Sequence, residues 1–171
     1  VRFAEDLEEV DTLSVMPSLH IVYASTSGHT EFVVETLAAF LKEKAPSVTV
    51  EVQRAELVKP EDLQRGDALL LASGTWNTGG VEGQLNPHMH ELLLTRAAAV
   101  TLEGKPMAFM ALGDTRYYYT ARAAERFQQF RTAHKGAQLL PPFVLVNEPY
   151  GQEEKVREWG TKLVAALSGK K

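Results

Sequence analysis

The stretch Ile21–Leu41, IVYASTSGHTEFVVETLAAFL, constrains this chain more than any other. A β-branched apolar run stops at six small or polar residues, Ser25-Thr26-Ser27-Gly28-His29-Thr30, and apolar residues return at Val34, Leu37 and Leu41 with helical spacing. A turn between such a strand and helix exposes backbone N–H groups at the positive end of the helix dipole, which suits an anion. Ser25, Thr26, Ser27 and Thr30 add hydroxyl donors, and Gly28 permits close backbone approach or a positive φ. Neutral donors alone can therefore hold a phosphate here. The loop lacks the lysine of the nucleoside-triphosphatase loop and the three spaced glycines of the dinucleotide fingerprint. On loop chemistry alone, a plain strand-to-helix connection with Thr30 as N-cap explains the same residues equally well.

Further along, the pattern repeats. Leu19–Ala24, Val48–Gln53, Ala68–Ala72, Pro106–Leu112 and Gln138–Val146 read as strands apolar enough on successive residues to be buried on both faces. Helical segments lie between them: KPEDLQRG supplies at most a short helix, Asn86-Pro87 is an N-cap followed by proline at the first helical position, Phe127 and Phe130 mark a helix opened by Thr120, and Val156, Trp159, Leu163 and Leu167 mark the last one. Five buried strands alternating with helices predict an α/β fold, a doubly wound parallel sheet covered on both faces, with ligands at the carboxyl ends of its strands.

Composition narrows the chemistry. The 171 residues contain no cysteine, which excludes disulfides, iron–sulfur clusters and thiolate nucleophiles. No apolar run approaches the roughly 20 residues of a membrane span, so a cytoplasmic protein that engages no membrane is expected. The formal charge of −4 sits entirely in residues 1–15, where Arg2 faces Glu5, Asp6, Glu8, Glu9 and Asp11; from Met16 onward bases and acids balance. A neutral body gives no argument for nucleic acid. Residues 1–17 are read as an acidic N-terminal extension, either preceding a natural start at Met16 or forming a short helix on the body, and residues 18–171 as one domain.

Three strand ends carry unusual sequence: ASTSGHT, ASGTWNTGG and ALGDTRYYYT. Trp76 and Tyr117 stand there among glycines and polar residues. A loop aromatic often anchors a satellite core, but two at neighbouring strand ends can also sandwich a flat ligand. Trp159, at helical spacing with Val156 and Leu163, reads as plain core. A phosphate cradle plus an aromatic sandwich specifies a phosphorylated planar cofactor.

These residues resemble the flavodoxin family. Ser25, Ser27, Gly28, Thr30 and Glu31 match its phosphate loop, GTWNTGG its tryptophan loop, and Gly113, Asp114 and Tyr117 its third loop, in order over roughly residues 18–168. The fifth strand lacks an insertion of about twenty residues, as in the short-chain branch. The resemblance implies a three-layer sandwich with strand order 2-1-3-4-5 and non-covalently bound FMN. It places the phosphate on Ser25, Thr26, Ser27, Gly28, His29 and Thr30. Ser73, Gly74, Thr75, Asn77, Thr78 and Gly79, with Leu112, Gly113, Asp114 and Tyr119, would edge the ring between Trp76 and Tyr117. His29 holds a variable position and is read as solvent-facing. Tyr118, and then Thr120-Ala121, depart from the family's usual residues after the stacking tyrosine.

The function so implied is a low-potential one-electron carrier without a catalytic side chain, a monomer working between a flavodoxin reductase-type donor and redox acceptor proteins. The alternatives are an NAD(P)H-dependent quinone or flavin reductase on the same fold and a non-redox regulatory protein. The resemblance further implies that the peptide after Trp76 turns over when the flavin gains its first electron, which Asn77 permits at some expense. Other constellations are poorer. His88 and His90, two apart on a helix, point in different directions, so no metal site is expected. No Ser-His-Asp triad has a spacing signal, and Asp114 lacks the companion acids of a phospho-accepting receiver domain.

Overall fold

A computed structural model describes residues 17–169. The acidic segment, apart from Pro17, lies outside the described residues. The chain alternates strand and helix: β1 (Ser18–Tyr23), α1 (His29–Lys44), β2 (Thr49–Arg54), two 3-10 turns (Ala55–Leu57 and Pro60–Gln64), β3 (Ala68–Thr78), β4 (Val81–Leu85), α2 (Pro87–Glu91) continuing as a π-turn (Leu92–Arg96), β5 (Pro106–Gly113), α3 (Ala123–Ala133), β6 (Ala137–Gln138), β7 (Phe143–Val146) and α4 (Glu153–Leu167).

The sheet runs β2-β1-β3-β5-β6, parallel throughout, and β7 pairs with β5 beyond β6. β6 and β7 are two pieces of the predicted fifth strand. They part at Leu139–Pro142, where consecutive prolines cannot donate to the ladder. The expected order of five parallel strands is therefore present.

Three expectations need correction. Val48–Gln53 does not form a strand buried on both faces: β2 is the sheet edge, and Thr49, Glu51 and Val52 are exposed. The tryptophan loop is not a loop. β3 continues past Ala72 to Thr78, turns at Gly79-Gly80 and returns as antiparallel β4, with Trp76 opposite Gln84. Thr120 does not cap α3, which starts three residues later; its hydroxyl instead donates to the carbonyls of Asp114 and Tyr117, closing the third loop on itself.

Alternation along each strand divides the core into two layers. Leu19, Ile21, Leu70, Met110 and Phe143 pack under α1 and α4, where Trp159 is buried and donates its indole N–H to Pro141 O at 3.2 Å. Val22, Leu69, Leu71 and Phe109 pack under α2, α3 and the 3-10 turns, with Phe109 stacked on Phe127 at 5.2 Å. Helices thus cover both faces, and the carboxyl ends of β1, β3 and β5 lie side by side. Among the described residues no helix is long and apolar enough to cross a membrane.

Candidate functional site

The first strand end is shaped by Gly28, which caps α1 at φ 92°, a left-handed conformation that residues with a β-carbon adopt only with strain. This residue, not Thr30, is the N-cap; Thr30 lies inside the first turn and is buried. The N–H groups of His29, Thr30 and Glu31 in that turn have no intrahelical acceptor, and the first helical bond runs from Phe32 N to Gly28 O. Ser25 Oγ accepts the Gly28 N–H at 3.1 Å, leaving its O–H as a donor. Thr26 Oγ1 likewise accepts from Asn86 Nδ2 at 3.0 Å.

Asn86 joins the first strand end to the second. It is fully buried, donates its own N–H to Ser73 Oγ at 2.9 Å, and its Oδ1 accepts from His88 N at 3.0 Å, capping α2. The expected cap is present, and the same side chain also fixes the first loop, a role its sequence gives no sign of. Thr75 performs the corresponding service between the second and third ends: its hydroxyl donates to Leu112 O at 2.9 Å and accepts from Ala123 N at 3.0 Å.

The third end folds tightly. A β-carbon at Gly113 would stand 2.2 Å from Ala121 N, so the returning backbone occupies that space. Asn147, at φ 70°, donates its N–H to Gly113 O and accepts from both the amide and the hydroxyl of Thr115 at 3.1 Å. Asp114 binds the Arg116 guanidinium at 2.5 Å and accepts its amide N–H at 2.9 Å; these bonds, the side-chain one foremost, hold the carboxyl below the usual carboxylate range.

Between the three ends lies a cleft of about 870 Å³. Of the predicted site residues, Ser25, Thr26, Ser27, His29, Thr30, Gly74, Thr75, Trp76, Asn77, Leu112, Gly113, Asp114, Tyr117 and Tyr119 line it. Gly28, Ser73, Thr78 and Gly79 do not; Ser73 is buried behind it, and Gly79 forms the hairpin turn. Thr115 and Arg116, within the 112–119 stretch expected to edge the ring, also line it, and Glu82, Gly83, Asn147 and Glu148 line it without having been anticipated. An Asn-Thr-Gly-Gly run between two stretches is a hairpin signal that would have brought in Glu82 and Gly83. Nothing local marks Asn147, because its partner is thirty-two residues away.

The aromatics are placed unequally. The Trp76 indole N–H lies against Gly74 and is half-buried. Tyr117 is 56% exposed and Tyr118 86%, while Tyr119 packs on Gly83 beneath the Arg122 guanidinium, 4.3 Å from its ring. His29 is not fully solvent-facing: it lines the cleft, and its ring meets Tyr150 edge-on at 5.6 Å. Asn77 is exposed at an irregularity of the β3–β4 pairing and is not among the residues at positive φ. Among the described residues no group of His, Asp and Glu could hold a metal ion.

The donor set at the first end fits a phosphate. A helix start with free N–H groups, hydroxyls and no Lys or Arg in the loop binds an anion through hydrogen bonds rather than a counter-charge. Half-buried and exposed aromatics at the other end fit a flat apolar ring with one edge toward solvent.

Comparison with known proteins agrees with this geometry. The flavodoxin family model matches residues 21–159. A flavodoxin of Nitratidesulfovibrio vulgaris (strain DSM 19637 / Miyazaki F) is 30% identical over 155 residues, 89% of this chain and all of that protein. A probable flavodoxin 2 of Bacillus subtilis (strain 168) is 25% identical over 143 residues, 82% of this chain and 89% of that one. The crystal structure of oxidised flavodoxin 2 from Bacillus cereus superposes with a TM-score of 0.73 at 25% identity, covering 86% of this chain and 97% of that one. The chain belongs to the flavodoxin family.

Proposed function

We propose that this flavodoxin, an FMN-binding electron carrier by family, works as a monomer that takes single electrons from a reductase-type donor and passes them to acceptor proteins. The observation that carries this reading is the convergence of three strand ends on one cleft, polar and neutral at the α1 end and aromatic at the other. The isoalloxazine, when bound, supplies one-electron chemistry at low potential.

The protein's part is binding and tuning. The N–H groups of His29, Thr30 and Glu31 and the hydroxyls of Ser25, Thr26, Ser27 and Thr30 would hold the phosphate. Trp76 and Tyr117 would cover the ring faces, edged by backbone of residues 73–78 and 112–119. Apolar faces disfavour added negative charge, which lowers the potential for the last electron. No side chain need act as acid or base. The exposed Tyr117 leaves one side of the site open to a partner, as a carrier requires.

Acid treatment of the purified protein should release one FMN per chain. Mixed with NADPH and a quinone, the protein alone should turn over slowly and accept electrons readily only when a flavodoxin reductase is added. Rapid NADPH oxidation by the chain alone would make it a reductase, and a protein that remains colourless with FMN would end the reading.

A further inference from the structure

Glu31 poses an electrostatic problem. It stands in the first turn of α1, one residue after the buried Thr30, where an acidic side chain favours the helix dipole but repels any phosphate bound at the same N-terminus. The chain answers from β2. Arg54, the last residue of that strand, bonds the Glu31 carboxylate through Nη2, and Tyr23 donates its hydroxyl to the same oxygen, Oε2, at 2.9 Å. The second guanidinium nitrogen, Nη1, donates to Ser25 O at 3.3 Å and stands 3.8 Å from Glu56. The guanidinium also lies 5.2 Å from the Tyr23 ring centre. One cation therefore grips both the first residue of the phosphate loop and the acid beside it.

We propose that Arg54 is the positioning residue for phosphate recognition. It turns the Glu31 carboxylate toward Tyr23, neutralises it, and fixes the Ser25 carbonyl so that the loop presents donors to the cleft. Arg54 and Glu31 are each about one-third exposed, close enough to the surface to relax if the partner is lost, yet shielded enough for their charges to be felt nearby. Without Arg54, Glu31 would keep only the Tyr23 hydroxyl, the charges of Glu31 and Glu56 would lose their counter-ion beside the loop, and the Ser25 carbonyl would be free to turn inward. These changes act against an anion and leave the ring end untouched. The inference rests on the FMN reading above.

The test is a comparison of FMN and riboflavin binding to the apoprotein, followed by quenching of flavin fluorescence. The unaltered protein should prefer FMN strongly; if it binds neither flavin, the FMN reading itself fails. Arg54→Gln should weaken FMN about tenfold through repulsion from the carboxylate charge it no longer offsets, with riboflavin little changed. Adding Glu31→Gln to Arg54→Gln should restore much of the FMN affinity, because the repelling charge is then gone. Arg54→Lys should keep the neutralisation but not the two-pronged grip, and should fall between. A purely structural Arg54 would lower both affinities together with thermal stability, and no rescue would follow from Glu31→Gln. Equal losses for the two flavins, or an unrescued double variant, would overturn the proposal.

Discussion

At one end of the cleft Thr30 and Asn86 are buried, and Asn86 is joined to Ser73, Thr26 and His88 by hydrogen bonds near 3 Å; at the other, Tyr117 and Tyr118 are 56% and 86% exposed. The contrast lies in the side chains more than in the backbone. The third loop is as firmly tied as the first, through Gly113, Thr120 and Asn147, but its aromatic surface faces outward. A carrier needs both properties: an end that holds the cofactor for many cycles, and an end that a partner can reach.

Breaking the backbone at the exposed end should have the largest effect. Gly113→Ala puts a β-carbon 2.2 Å from Ala121 N, a main-chain atom that cannot swing aside, and should cost roughly 3 kcal/mol of unfolding free energy in urea titration. A loss below about 1 kcal/mol would show that the third loop is as loose as its side chains. Next comes the buried end. Asn86→Ala removes the α2 cap at the His88 N–H and the amide donor on Thr26 Oγ1, while the backbone bond to Ser73 is kept, so a loss of about 2 kcal/mol is expected, with FMN affinity falling more than riboflavin affinity. Equal falls would mean that Asn86 supports the fold without shaping the phosphate loop.

What the sequence disclosed follows the same division. Strands β1, β3 and β5 are apolar on successive residues because helices cover both faces, and such runs can be read without a structure. β2 misled because its valines alternate with polar residues on an edge, where burial is optional. β4 was missed because VEGQL is short and carries a glycine and a glutamate; its partner β3, not its own propensity, makes it a strand. The glycine and hydroxyl pattern of the first loop is local chemistry and therefore legible. The supports of the site, Asn86 to Thr26 and Asn147 to Thr115, act across sixty and thirty-two residues and leave no mark on neighbouring sequence.

Smaller effects sharpen the comparison at the ring end. Asn77 sits at a break in the β3–β4 ladder, outside the left-handed region, so a peptide turnover there upon reduction would carry it into a conformation glycine enters more easily. Asn77→Gly should raise the first reduction potential by the equivalent of about 1 kcal/mol or less, measured by redox titration. An unchanged potential in both Asn77→Gly and Asn77→Val would remove the turnover from this protein's mechanism.

The smallest effect concerns Asp114. Its folded-state pKa is depressed, chiefly by the Arg116 side chain, so the stabilisation it gives is present above the ordinary carboxylate value of about 3.9 and is lost as pH falls through the depressed one. The Arg116 amide, which donates to Asp114 at 2.9 Å, should hold its NMR shift from neutral pH to about 5 and move only below about 4. Movement near pH 6 would mean that another group governs the loop.

Most direct would be an amide NMR titration of the labelled apoprotein with FMN and, separately, with riboflavin. FMN should shift three sets of signals together, residues 25–31, 73–78 and 112–119, whereas riboflavin should shift the last two sets and leave Ser25–Glu31 nearly in place. Shifts from FMN confined to other surfaces, or riboflavin perturbing the first loop as strongly as FMN does, would contradict the division of the cleft into a phosphate end and a ring end.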